Sequence, residues 1–430
     1  MFGANAIDSR AADRARRVNA VDKAFELVER AVAALERVET GARDEAWKRA
    51  MATALIALTD TELVLRHHED PEKRQGMIAR SGRGVELARE LGDERTLVRA
   101  LVLHANIFVL SGHPTQGFDV LSEADDIARR LGDDELFLLP FWAATEMLVG
   151  DDPETAAERL GEVAELAAAV GDKAVRSHAL ASRAVALARL GRFEEAYEVM
   201  PLALEAAYAS GSTIKEADVA MLVGAALMDM DELDAALRFI VHGRDKALGM
   251  DGRECAANGL WLSGQWNMAR RHLQVALEEF DKALQVGAGT AYEPQLYGVE
   301  ASKAACRFRV GELAAVSDLT AQVERAESMR DAYGRWTAAH LLANALDDLG
   351  RFEEAEGHLE GALAWFRDRG MRPYVARALR ELARSRRGQG RDDAAAEAEA
   401  EAAAIEATLG GPFDLSVLGE PGRPALAMAG

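Results

Sequence analysis

Apolar residues recur along most of this chain at three- and four-residue steps, the spacing that places side chains on one face of a helix. Leu180, Ala184 and Leu187 form such a run before Gly191, and Phe193, Ala196, Met200, Ala203 and Leu204 form the next one after it. Strand-like alternation of Val, Ile and aromatic residues is absent. Glycine between the runs accepts a left-handed backbone at little steric cost and ends the first helix. The pattern therefore predicts a helical hairpin. Small residues at 184, 196 and 203 mark helix crossings, while Phe193 and Met200 fill the space between hairpins. One hairpin cannot bury both of its faces, so it requires a neighbour on each side.

The hairpin repeats. Leu190-Gly-Arg-Phe-Glu-Glu-Ala196 recurs letter for letter, farther along the chain, as Leu349-Gly-Arg-Phe-Glu-Glu-Ala355. Turn phrases of this kind are predicted at Gly112, Gly150, Gly191, Asp231, Gly264, Gly311, Gly350 and Gly390. Most steps between them are close to forty residues, but the step into Gly264 is distinctly shorter and the next one distinctly longer. A second set, Gly92, Gly132, Gly171, Gly211, Gly370 and Gly410, closes the hairpins. Two interleaved marks with one period exclude a chance alternation of helices.

The order of a small-residue first helix, glycine, an aromatic two residues on and alanine three later resembles the tetratricopeptide repeat (TPR). The forty-residue version is similar to the helical-repeat region of MalT-like bacterial regulators. The resemblance covers about residues 44–410, without the proline that closes the usual unit of about 34 residues. It implies an all-α, right-handed superhelical solenoid of about nine helical hairpins. Around it, residues 1–43 are read as an N-terminal capping helix, carried by an apolar stripe over 8–38, and 411–430 as a flexible C-terminal tail. The first hairpin, 44–91, would turn at 67–71. The irregular segments 243–253 and 286–294 bracket the uneven steps and predict a kink or a displaced helix. Residues 392–409, nearly all Ala and Glu, predict a solvated final helix.

The charge balance narrows the function classes. Fifty-one basic against 72 acidic side chains give a net charge of −21, which repels nucleic-acid phosphates and anionic membrane surfaces. No apolar run approaches the length of a membrane span, about 18 residues or more, and the N-terminus lacks the apolar core of a signal peptide. Two cysteines, Cys255 and Cys306, are too few for a disulfide framework and read as packed thiols in a reducing cytoplasm. No phosphate-cradling Gly-x-x-x-x-Gly-Lys-Ser/Thr, no His-Glu-x-x-His and no Cys-x-x-Cys occurs. His67-His68-Glu69-Asp70 reads as a solvated turn rather than a metal site. Nothing arranges Ser, His and Asp into a triad. The expectation is a protein that is not an enzyme and needs no cofactor or metal.

One pattern stands out. Asn106, Asn258 and Asn344 each lie six residues before a turn glycine, Gly112, Gly264 and Gly350. Asn is a poor helix-interior residue because its amide competes for the backbone, so a shared phase calls for a reason. In tetratricopeptide repeats this phase lines the concave groove and holds a ligand's backbone amide; the alternative is an Asn that is solvated or bonded within its own helix. By the same phase Arg99, His178, Glu254, Trp261, His340 and Asp347 come near the groove, as do Arg377, Arg380 and Arg384, a basic stripe along one helix. That stripe would receive an anionic group or pair with acids of the neighbouring helix. Trp261 and Trp142 are either groove anchors or core. The resulting reading is a scaffold that binds a peptide or protein partner in its groove, with a ligand- or peptide-sensing module of a MalT-like system as the alternative. A homo-oligomer stays open.

Overall fold

The computed structural model describes residues 21–64, 71–110, 114–133, 136, 149–250, 252–288, 296–328, 331–411 and 413–422. The chain divides into two units, one of residues 1–144 with 289–294 and one of 145–288 with 295–430. The sequence motifs at 67–70, Gly112 and Trp142 lie outside the described residues.

In the first unit α1 (Val21–Glu36) covers the open side of α2 (Glu45–Val64), which pairs with α3 (Pro71–Leu91). Val28, Val32 and Leu35 of α1 are buried with Trp47, Met51 and Leu55 of α2. The Trp47 indole N–H donates to the Leu35 carbonyl at 2.8 Å, fixing the helix end. The next hairpin, α4 (Glu94–Leu110) and α5 (Pro114–Leu131), buries Val98, Leu101, Ala124 and Ile127 against Val85 and Ala88 of α3.

The second unit begins with α6 (Pro153–Val170) and continues as six hairpins. These are α7 (Lys173–Leu190) with α8 (Phe193–Ser210), α9 (Thr213–Asp229) with α10 (Leu233–Leu248), and α11 (Arg253–Ala269) with α12 (Leu273–Gly287). They are followed by α13 (Leu296–Arg309) with α14 (Ala315–Ser328), α15 (Ala332–Asp348) with α16 (Phe352–Asp368), and α17 (Arg372–Gly388) with α18 (Asp392–Glu406). The fold is an all-α helical-repeat solenoid.

The turns are more regular than the sequence suggested. Positive φ occurs at Gly191, Asp231, Arg271, Gly311, Gly350 and Gly390, a nearly uniform spacing of forty. At each, the next residue's N–H reaches back to the helix just ended: Arg192 to Leu187 O, Glu232 to Leu227 O, His272 to Asn267 O, Glu312 to Arg307 O, Arg351 to Leu346 O and Arg391 to Arg386 O, at 2.8–3.0 Å. These bonds satisfy carbonyls that a helix end would otherwise leave open. Gly264 is thus not a turn. It is buried inside α11, where a Cβ would stand 2.5 Å from the Phe280 ring of α12. The short and long steps around it, and the kink expected from them, came from placing the turn seven residues early. Gly150 is likewise in helical backbone, with the Tyr333 side chain 3.2 Å from where its Cβ would be.

The second unit also bends far enough for its ends to meet. The turn at Gly191 packs against Leu409, Pro373 and Arg372 of the last hairpin. Residues 413–422, read from sequence as part of a flexible tail, instead carry a 3-10 turn (Leu415–Leu418) with Leu418 fully buried. Phe413 packs on Tyr197 with ring centroids 5.3 Å apart, the Tyr197 hydroxyl donates to the Asp414 carbonyl, and Glu420 lies 3.7 Å from Arg238. The described part of the tail therefore lies along α8 and α10. The final helix is only partly solvated: Ala395, Ala398 and Ala402 are buried, and its acidic face is exposed.

Candidate functional site: the inner face of the second unit

The first helices of the hairpins, α7, α9, α11, α13, α15 and α17, present one face inward, and at one end that face closes on itself. Arg189 of α7 and Asp229 of α9 meet Tyr333 of α15 and Tyr374 and Arg377 of α17. The Tyr374 hydroxyl donates to Asp229 Oδ1 at 2.8 Å and lies 3.0 Å from the Tyr333 hydroxyl. The Arg189 guanidinium sits 4.3 Å from the Tyr333 ring centroid, 3.8 Å from Asp229 Oδ2, and donates to the Val149 carbonyl at 2.9 Å. Arg377 donates to the Asp229 carbonyl at 3.2 Å. Burial works against the Arg189 charge, but its surroundings, Asp229 among them, outweigh it and raise its pKa. Burial also raises both tyrosines, so the hydroxyls stay protonated and able to donate.

Beside this closure Asp151 accepts the Tyr333 backbone N–H at 3.2 Å. Burial, then the neighbouring Asp331, raises its carboxyl pKa against the pull of that N–H, Arg369 and Arg189. A carboxyl raised above its unfolded value holds its proton more tightly when folded, so it lowers stability as pH rises from the unfolded pKa through the folded one. Asp151→Asn keeps an oxygen for the Tyr333 N–H. It is expected to raise the melting temperature at pH 7 and to match wild type at pH 4 or below; thermal melts across pH 4–8 check this, and a variant less stable at pH 7 would refute it.

Against the closure, whose Arg189, Asp229, Tyr333, Tyr374 and Arg377 line the smaller of them, the inner face opens into two adjoining chambers that share Met268 and Leu341. The smaller, about 310 Å³, is lined by Trp261, Gln265, His340, Tyr333 and Arg377 among others. The larger, about 590 Å³, is lined by Asn344, Arg271, Arg309, Asp348 and Arg384 over an apolar floor that includes Leu273 and Phe308.

The sequence candidates fall out unevenly. Asn344 lines the larger chamber, and its amide donates to the His340 carbonyl of its own helix at 3.1 Å. Trp261 and His340 line the smaller one; the Trp261 indole donates to Ser302 Oγ at 3.0 Å, and His340 Nε2 is 3.1 Å from Glu381. Of the basic stripe, Arg377 and Arg384 face the chambers, whereas Arg380 turns to Glu406 of α18. Arg384 bonds Asp347 at 3.1 Å and the Asn344 carbonyl at 3.0 Å. His178 bonds Asp218 at 2.7 Å and lines neither chamber. Arg99 and Asn106 lie on α4 of the first unit.

Asn258 does not belong to the set. With the turn at Arg271 it lies a further two helical turns back, and the residue six ahead of that turn is Gln265, which does line the smaller chamber. Residues two before the turns were missed as well. They are Arg189, Asp229, Ala269, Arg309, Asp348 and Gly388, an edge on which each arginine is followed one repeat later by an aspartate, and which a strict forty-residue count would have exposed.

Other chemistry finds little support in the described residues. No three His, Cys, Asp or Glu side chains gather there as metal ligands, and no helix is long and apolar enough to cross a membrane. Burial pushes the Cys255 thiol up to about 12 and the Cys306 thiol up to about 11, far from a nucleophile's range.

No family model and no curated protein matches this chain. Its backbone is similar to solved structures. A Rap protein complexed with Competence and Sporulation Factor is 12% identical, with a TM-score of 0.51 over 94% of this chain and 98% of that one. The Rap conjugation gene regulator of the plasmid pLS20, in complex with the Phr* peptide, is 15% identical, with a TM-score of 0.52 over 84% of this chain and 95% of that one. A Pyrococcus horikoshii STAND protein with a tetratricopeptide repeat sensor reaches a TM-score of 0.44 at 15% identity, over 90% of this chain and 62% of that one. At these identities the likeness to the two Rap structures is one of fold alone, a helical-repeat solenoid.

Proposed function

We propose that this chain is a non-enzymatic binding scaffold that takes a peptide, or an extended segment of a partner protein, along the inner face of its second unit. The observation that carries the reading is the pair of adjoining chambers, about 590 and 310 Å³, built from side chains of four or more successive hairpins. Their lining suits a peptide. Leu273, Phe308, Met268 and Trp261 offer apolar contact, while the amides of Asn344 and Gln265 each supply a donor and an acceptor for a peptide backbone. The two Rap complexes, one with Competence and Sporulation Factor and one with the Phr* peptide, support the reading by likeness of fold. No step of it calls for a cofactor or a nucleic acid.

Leu341 borders both chambers, so a bulkier residue there obstructs both. A synthetic pool of random 12-residue peptides is passed over immobilised wild type and over Leu341→Trp, and the retained peptides are identified by mass spectrometry. A subset enriched by wild type and at least tenfold less by the variant is expected. No enrichment by wild type, or equal enrichment by both, overturns the proposal.

A further inference from the structure

The larger chamber is basic on a chain whose net charge is −21. Three arginines, Arg271, Arg309 and Arg384, line it with one carboxylate, Asp348. Neighbouring arginines are neutralised. Arg270 pairs with Asp234, and Arg307 lies 2.8 Å from Glu312 and 2.7 Å from Asp318. Arg384 takes both nearby acids, Asp347 at 3.1 Å and Asp348 at 3.3 Å. At the equivalent edge of the array Arg189 has Asp229 as its counter-charge. Arg309 occupies the position of Arg189 three repeats later, yet Asp348 in the place of Asp229 is already committed to Arg384. Arg271 and Arg309 consequently make no ion pair or side-chain hydrogen bond among the described residues, and both are exposed at the chamber.

A second, independent observation concerns the backbone. Arg271 is the turn residue, held at φ +62°, where the matching turns at 191, 311, 350 and 390 use glycine and the one at 231 uses aspartate, which tolerates this region better than arginine does. A side chain there is strained, and arginine is not among the residues that tolerate the left-handed region well. Such strain at a pocket edge is the signature of a residue kept for its side chain rather than for its backbone.

We infer that Arg271 and Arg309 receive a carboxylate of the bound peptide, seated in the larger chamber, so that the scaffold selects acidic ligands. The inference rests on the proposed peptide-binding function and adds the chemical class of its ligand. Guanidinium groups suit the task because they pair with carboxylates through charge-assisted, directional hydrogen bonds. The carboxylate comes from Asp or Glu side chains or from the peptide's C-terminus.

The test uses the full chain and immobilised 12-residue peptides of four designs: rich in Asp and Glu with an amidated C-terminus, neutral with a free C-terminal carboxylate, neutral and amidated, and rich in Lys. The variant is Arg271→Gly/Arg309→Gln. Glycine at 271 relieves the left-handed strain, and 309 is an exposed helix end, so the variant is expected to keep wild-type helicity and to melt no lower than wild type. Wild type should bind one of the two carboxylate-bearing designs about tenfold or more above the neutral amidated one, and the variant should lose that preference. Which of the two designs binds identifies the source of the carboxylate. Binding of all four designs alike, unchanged in the variant, overturns the selectivity while leaving the peptide-binding function standing. Preference for the Lys-rich design also overturns the selectivity. Binding of none by wild type removes both.

Discussion

Asp229→Leu is expected to lower the unfolding free energy by about 3–5 kcal/mol, the cost of leaving a largely buried charge without its partner. The carboxylate is only 14% exposed and the Arg189 side chain 17%. Removing it leaves the largely buried Arg189 cation with only the Val149 carbonyl and the Tyr333 ring, and the Tyr374 hydroxyl with only that of Tyr333. Arg189→Met is expected to cost a similar amount from the other side, because Asp229 then keeps only Tyr374 and the half-exposed Arg377. The double variant, with neither charge left to solvate, should lose less than the two single losses added together. Urea titrations followed by circular dichroism measure all three. Small and additive losses would mean that the closure of the inner face contributes little to holding the second unit together.

Gly191→Ala and Gly350→Ala change the same residue within the same seven-residue phrase, and their effects should differ. Both glycines are left-handed, at φ 78° and 73°, so alanine costs about 1–2 kcal/mol at either. Nothing lies within 4 Å of a Cβ on Gly350. On Gly191 that atom would stand 2.5 Å from Leu409 Cδ2 and 3.2 Å from Pro373 Cδ. Moving those groups adds about 1–3 kcal/mol at Gly191 alone. Denaturation midpoints of the two variants decide it. Equal losses would show that the contact between the first and last hairpins yields without cost.

The fold was legible because five of the six turns of the second unit write the same local chemistry, a helix end, a left-handed residue, then a buried alanine five residues on, at 196, 236, 276, 355 and 395, with Val316 in that place at the sixth. Reading glycine as the mark of a turn failed where glycine answers a different need. At Gly264 it makes room for Phe280 inside a helix, while the true turn carries arginine. That one displacement admitted Asn258 to the candidate set and hid Gln265 and Arg271. The docked tail and the Asp229–Tyr374 contact were beyond sequence reading for another reason. They join residues 145 to 217 positions apart, and their pairing follows from how far the array curves, a sum of small rotations that no single repeat specifies.

The meeting of the Gly191 turn with Leu409 also limits how this architecture varies. An open solenoid grows or shrinks by whole hairpins, since every internal copy touches only its neighbours. Here deletion of one forty-residue copy between α9 and α15 would carry Tyr333 and Tyr374 out of reach of Arg189 and Asp229 and leave Leu409 without its seat. Duplication would do the same in the opposite sense. Change in the second unit is therefore confined to substitution within copies, and the number of copies is locked by the contact between its first and last members.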